Sequence, residues 1–254
     1  MTTTGGLRPP RTLHGRLLLV GSGEFTPAMA DIDREILGSI GTTAPRVAIV
    51  PTAAGLEDTP KSWIEMGTAH FRALGAEAVP VMVLGRDDAH EPRWSRAIES
   101  ADWIYFSGGH PGHLVESLAG TPFWSAVLAR VRAGAVLAGS SAGAMMLGSA
   151  TILPLGFDGR GMPTGITFRP GLGVLPGVFV APHFDAVPEN VWLGWSDKWP
   201  NGHRMLGIDE DTALLQREGD WTVRGRGRVL AFQSLTAREE HRTGAVLNGL
   251  AVSM

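Results

Sequence analysis

The stretch VLAGSSAGAMML, residues 136–147, decides the reading of the fold: an apolar run narrows to glycine and serine, then opens into small and long apolar residues. Such a pattern reads as a buried strand, a tight turn and a helix. Within it, Gly139-Ser140-Ser141-Ala142-Gly143 fits G-x-S-x-G, where the serine sits on a sharp strand-to-helix turn and small neighbours permit close backbone approach. In a chain with 34 glycines the pattern alone is cheap; the apolar strand before it and the helical run after it supply the context it requires. Ser141 is the candidate nucleophile, and Ser140 reads as backbone filler at the turn. Residues 133–157 carry no charge and exceed the roughly 20 residues of a membrane span. Their five glycines, three serines and one proline, with polar chain on both sides, favour the buried strand, turn and helix instead.

Working outward, RLLLVG (16–21), RVAIVPT (46–52), AVPVMVL (78–84), WIYFSGG (103–109) and AVLAGSS (135–141) read as strands, most of them apolar on both faces. Strands buried on both sides imply a parallel sheet covered by helices. Residues 61–74 and 113–130 carry apolar residues at helical spacing, with Thr59 and Thr121 near their starts, and are the expected crossovers. From Gly202 the texture changes: MLGIDEDTALLQ, DWTVRG and GRVLAFQ alternate with tight polar turns such as Glu218-Gly219-Asp220, an antiparallel continuation at a sheet edge. The expected fold is a three-layer, doubly wound α/β domain over residues 16–254, mostly parallel with an antiparallel C-terminal extension, after a loose polar tail at residues 1–15. Several strands end in glycine-rich turns, GSGEF, SGGHPG and GSSAG, and open α/β sheets bind ligands outside the carboxyl ends of their strands.

Composition narrows the partners. Against 25 acidic residues stand 22 basic ones, a net charge of −3, which leaves no electrostatic footprint for nucleic acid or an anionic membrane. A small or neutral substrate fits better, and a homodimer is compatible with the sequence. The absence of cysteine removes disulfides, thiolate metal sites and a cysteine nucleophile. Together with an N-terminus lacking the apolar segment of a signal peptide, it points to the cytoplasm.

A serine at such a turn needs a base, and eight histidines are available. His183, in GVFVAPHFD, directly follows a run of strand character that can aim it at the same sheet edge; its alternative is a hydrogen-bonded, semi-buried histidine. His241 lies in the charged segment AREEHRTG. His110 and His113 form an H-x-x-H pair with no third ligand evident, so no metal or other cofactor is expected. Asp185, Asp209 and Asp158 are all open as the acid that would orient the histidine.

The motifs GSGE (21–24), FSGGHPGHL (106–114), GSSAGA (139–144), GLGVLPG (171–177), PHF (182–184) and GIDEDTAL (207–214), in this order, resemble the serine peptidases that include dipeptidase E and cyanophycinase. That family has a fold like class I glutamine amidotransferases, and the resemblance runs from Arg16 to Gln233. It implies a Ser-His-Glu triad on Ser141, His183 and Glu210, with Asp158 kept as a second acid near the site. It also implies oxyanion donors at the N–H groups of Gly109 and Ala142, and substrate contacts at Gly23, Glu24, His110 and Asp158. The implied activity is hydrolysis of a peptide or amide bond in a small substrate.

Departures from the family pattern bear on substrate. The family commonly follows its glycine pair with Asn or Asp, and cyanophycinases then place Gln; here His110 and Pro111 stand there. Cyanophycinases carry arginines soon after the His-Phe pair, where this chain reads DAVPENVWLGWSDKW. Trp192, Trp195 and Trp199 in that segment suit the core by their spacing and suit a pocket wall by their chemistry. Arg160 and Arg169 are the cations near enough in sequence to hold a substrate carboxylate. The expectation is a less cationic pocket with a preference for an apolar substrate. Rival readings are an α/β-hydrolase esterase, which needs the order Ser, acid, His and so His203 or His241, and a non-catalytic binding module. A dinucleotide site at GSGEFT lacks the third glycine of its fingerprint.

Overall fold

The computed structural model describes residues 16–254 apart from 59, 160, 161, 218, 235 and 236. The tail expected at residues 1–15, Thr59, Arg160 and the Glu218 of the polar turn lie outside the described residues.

The predicted alternation is present. Strands β1 (Arg16–Val20), β2 (Arg46–Val50), β3 (Glu77–Pro80), β4 (Trp103–Phe106) and β5 (Val136–Ser140) pair in parallel in the order β1-β5-β4-β2-β3. Helices α1 (Ala30–Ile40), α2 (Pro60–Ala73), α3 (Pro92–Ile98), α4 (Pro111–Leu118) and α5 (Pro122–Arg132) make the crossovers. Alternate residues of each strand feed two separate apolar layers. Leu17, Leu19, Ile104, Phe106 and Leu137 point into one, while Leu18, Val20, Trp103, Tyr105 and Val136 point into the other. That two-sided burial is why these strands carry almost no polar residue.

The helical pattern over 113–130 is two helices. Gly120 takes a left-handed φ of 69°, Thr121 accepts the Trp124 N–H through its side chain at 3.2 Å, and Pro122 opens the second helix. A hydroxyl cap followed by a proline at the first helical position is a strong start signal.

Beyond β5 lie the short helix α6 (Ala142–Met145), the antiparallel pair β6 (Ala150–Phe157) and β7 (Pro163–Pro170), strand β8 (Val178–Ala181) and helix α7 (Glu189–Leu193). The C-terminal strands are β9 (Arg204–Ile208), β10 (Thr212–Arg217), β11 (Asp220–Gly225), β12 (Arg228–Phe232), β13 (Arg238–Arg242) and β14 (Val246–Leu247). The expectation of one antiparallel extension is corrected in detail. β10, β11 and β14 extend the main sheet from β1, giving eight strands, whereas β9 and β12 join a separate four-stranded sheet ordered β13-β12-β9-β8. The chain changes sheets at Asp209-Glu210-Asp211, where Asp211 has a positive φ of 49°. The β6–β7 hairpin is not announced by the sequence, since Pro154, Gly156, Pro163, Gly165 and Pro170 interrupt its alternation.

Candidate active site

The carboxyl ends of β1, β4 and β5 lie side by side because the register pairs Val20 with Ser140 and Phe106 with Gly139. Ser141 follows immediately, with φ 50° and ψ −114°, a conformation sparsely populated by L-residues. Its N–H donates to the carbonyl of Val20 at 3.0 Å, which fixes the turn to the sheet. A Cβ on Gly139 would lie 2.1 Å from the Gly143 carbonyl oxygen, and one on Gly143 would lie 2.4 Å from that of Phe106. The small residues of G-x-S-x-G are therefore required by backbone packed against backbone.

His183 enters from the second sheet. It sits two residues past Ala181, whose partner in the parallel β8–β9 pair is Gly207, and Glu210 lies three residues past that glycine. Gly207 gives the ring of Phe184 its seat, since an added Cβ would fall 2.5 Å from it. The PHF and GIDEDTAL motifs are thus two halves of one contact. His183 takes a left-handed φ of 49° and brings Nε2 to 2.9 Å from Ser141 Oγ. Its Nδ1 lies 2.7 Å from Glu210 Oε1. A carboxylate only accepts, so this contact puts the imidazole proton on Nδ1 and leaves the Nε2 lone pair facing the serine. The side chains of His183 and Glu210 are 41% and 43% exposed.

The other acids stand elsewhere. Asp185 accepts the Glu210 N–H at 2.8 Å and so holds the loop that carries Glu210. Asp209 is buried, accepts the Arg228 N–H at 3.0 Å, and has its carboxyl pushed upward chiefly by that burial. Asp158, at the tip of the β6–β7 hairpin, accepts the Met162 N–H at 2.9 Å. His203 meets Ser149 Oγ at 3.0 Å, and His241 pairs with Glu239, so neither histidine required by the esterase order contacts Ser141.

Gly109 has a φ of 136°, and a Cβ there would strike the Ala53 carbonyl group at 2.5 Å. Its N–H and that of Ala142, at the start of α6, meet no backbone acceptor among the described residues. His110 caps α4, its Nδ1 accepting the His113 N–H at 3.0 Å, and His113 Nε2 contacts the Leu84 carbonyl at 2.7 Å. The H-x-x-H pair is thereby spent on helix capping and loop anchoring. Among the described residues no three His, Asp or Glu side chains are grouped to hold a metal.

One expectation is corrected: Ser140 is not filler, since its hydroxyl donates to Glu24 Oε2 at 2.6 Å. Glu24 is buried, 7% exposed, and its Oε1 accepts the Gly108 N–H at 2.8 Å, so each oxygen has a protein partner. Gly23, beside it in sequence, packs closely, since a Cβ on it would lie 2.0 Å from Asp211 Oδ1. Nothing in the spacing of these residues announces the Glu24 contacts, which bridge 84 and 116 positions of sequence.

A cleft of about 400 Å³ opens over Ser141 and His183. Its floor is formed by Met145, Ile152, Ile166 and Trp192, and the β6–β7 hairpin supplies one wall through Pro154 and Phe157. Of the three tryptophans only Trp192 lines it, stacked on Phe184 at 5.9 Å. Trp195 packs edge-on against Trp192, and Trp199 against Phe179 and Phe232. The hairpin residues were missed by sequence reasoning because no motif marks them.

The site is thus a strained serine at an α/β sheet edge, within hydrogen-bond reach of a histidine that contacts a carboxylate. The chain belongs to peptidase family S51, which it matches over residues 17–224. No curated protein matches it. It is similar to a solved peptidase from an acI-B1 Actinobacterium, with 31% identity, 94% of this chain and 98% of that chain covered, and a TM-score of 0.80. A putative peptidase E protein from Listeria monocytogenes EGD-e shares the fold at 18% identity, with 84% and 99% of the two chains covered and a TM-score of 0.61. No described helix is long and apolar enough to cross a membrane.

Proposed function

We propose that this peptidase hydrolyses the amide bond of a short peptide through Ser141, His183 and Glu210. The observation that carries the reading is the unbroken chain of contacts from Ser141 Oγ through both imidazole nitrogens to Glu210, at 2.9 and 2.7 Å. His183 Nε2 takes the hydroxyl proton as Ser141 Oγ bonds to the substrate carbonyl carbon, and Glu210 stabilises the imidazolium that forms. The carbonyl oxygen becomes an oxyanion facing the N–H groups of Gly109 and Ala142. Collapse breaks the C–N bond, with the His183 proton passing to the leaving amine. Water, deprotonated by the same imidazole, then releases the acyl group and restores the serine. The site is enclosed on one side by the β6–β7 hairpin, which suits short substrates.

The test is labelling with a fluorophosphonate followed by peptide mass spectrometry. The expected adduct is on Ser141 in the wild type and is lost or slowed about 100-fold or more in His183→Ala, in line with removal of a triad base. A wild-type Ser141 that stays unlabelled, or equal labelling in His183→Ala, refutes the reading.

A further inference from the structure

We infer that the cleft over Ser141 selects an uncharged, apolar side chain on the residue flanking the scissile amide, of the size of Leu or Phe, and rejects Asp and Arg. This rests on the peptidase reading above and concerns the same site. Met145, Ile152, Ile166 and Trp192 at its floor are all buried, and their side chains expose no charge to a ligand. Among the described lining residues His183 is the one titratable side chain, and its two nitrogens are turned to Ser141 and Glu210. Arg169 is drawn away to Glu116 at 2.9 Å, beside a different and smaller cavity. Among the described lining residues an ionised side chain entering this cleft meets no fixed counter-charge, which is costly, whereas an apolar one gains from leaving water. The volume of about 400 Å³ is at the small end of ligand sites, which matches a dipeptide rather than a long chain. The exposed Phe157, at 63%, extends the apolar surface onto the rim.

The experiment is a panel of dipeptides X-Ala and Ala-X, with X as Leu, Phe, Asn, Asp and Arg, followed by chromatography, beside fluorophosphonate labelling of Ser141. The expected result is a kcat/KM for Leu or Phe above that for Asp and Arg by about 100-fold in at least one of the two orders, the scale on which a pocket separates well-fitting from ill-fitting side chains. A kcat/KM for Asp or Arg equal to or above the apolar value in both orders overturns the inference and leaves the peptidase standing. A panel cleaved in neither order, or an unlabelled Ser141, refutes instead the function on which the inference rests.

A separate observation assigns Glu24 as a positioning residue. We propose that it fixes the separation of the two loops that bear the oxyanion donors. Through Oε1 it holds Gly108, next to Gly109, and through Oε2 it holds Ser140, two residues before Ala142. Those loops leave different strands, and an added Cβ on Gly108 would lie 3.2 Å from Ser141 Cβ, so a small shift misplaces both donors. Glu24→Gln keeps the size and both hydrogen-bonding positions, since the Ser140 hydroxyl can turn to accept. Glu24→Ala keeps neither, and Ser140→Ala removes one arm in case Glu24→Ala does not fold. The rate of Ser141 phosphonylation, and kcat with KM on the best dipeptide, are the readouts. Against a loss of ~100–1,000-fold for a whole oxyanion donor, slackening is expected to lower kcat ~10–100-fold in Glu24→Ala and ~3–10-fold in Ser140→Ala, with KM little changed and Glu24→Gln restoring most of the rate. Wild-type rates in Ser140→Ala and in folded Glu24→Ala, or a Glu24→Gln as slow as Glu24→Ala, overturn the assignment. An unlabelled wild type fails the peptidase reading instead.

Discussion

Glu210→Gln replaces an acceptor with an amide of the same size, and its cost follows from the contact it alters. With glutamate, His183 Nδ1 donates over 2.7 Å and Nε2 is free to take the Ser141 proton. If glutamine presents its N–H groups, Nδ1 becomes the acceptor, the proton moves to Nε2, and the base faces the serine with no lone pair. If it presents its carbonyl, the tautomer survives but the negative charge opposite the imidazolium is gone. The charge centres of such a pair lie ~4 Å apart, worth about 4 kcal/mol at an effective dielectric of 20. Because His183 and Glu210 are 41% and 43% exposed, solvent screening cuts that to about 2–3 kcal/mol. At 1.36 kcal/mol per tenfold this is about a 30- to 150-fold loss, and the tautomer penalty brings it to about 100- to 1,000-fold in kcat. A fully buried triad carboxylate is worth about 10,000-fold, so the exposure of Glu210 is what lowers the figure. The assay is kcat and KM on the best dipeptide with the melting temperature as a control for folding. A kcat within about threefold of wild type, in a protein of unchanged stability, refutes the assignment of Glu210 as the acid.

Ser141→Gly relieves a non-glycine residue held at φ 50° and ψ −114°, and is expected to raise stability by about 1 kcal/mol while abolishing activity; thermal unfolding with no gain counts against strain at the turn. Gly139→Ala places a methyl 2.1 Å from the Gly143 carbonyl oxygen, and backbone cannot yield as a side chain does, so a loss of about 3 kcal/mol or more is expected; a melting temperature within about 2 °C of wild type contradicts the close packing. Burial of Asp33 against His70, at 2.7 Å, pushes its carboxyl above the usual range despite that hydrogen bond. The stability this contributes is present below the ordinary carboxylate value of about 3.9 and is lost as pH rises through the raised one. Asparagine does not ionise, so the melting temperature of Asp33→Asn minus that of wild type is expected to grow from about pH 4 to 7, and a difference that shrinks refutes the sign.

Sequence alone determined the parallel sheet, because β1, β2, β4 and β5 are runs with almost no polar residue and only strands covered on both faces tolerate that. It also singled out Ser141, since a glycine-flanked serine between an apolar strand and a helical run leaves few backbone solutions. His183 was legible as a histidine directly after a strand, while Glu210 stood level with Asp158, Asp185 and Asp209 until the family resemblance was weighed. Only the tertiary structure brings Glu210 rather than those aspartates to His183, because that contact rests on the parallel pairing of β8 with β9 and on a Phe184–Gly207 contact that local sequence does not encode. The same holds for Ser140 and Glu24, whose bonds join positions far apart in the chain. It holds again for the apolar cleft, whose wall is a hairpin broken by prolines and glycines and whose floor draws one tryptophan of three. Periodicity records which face of an element is buried; what that face meets is fixed only when the elements pack.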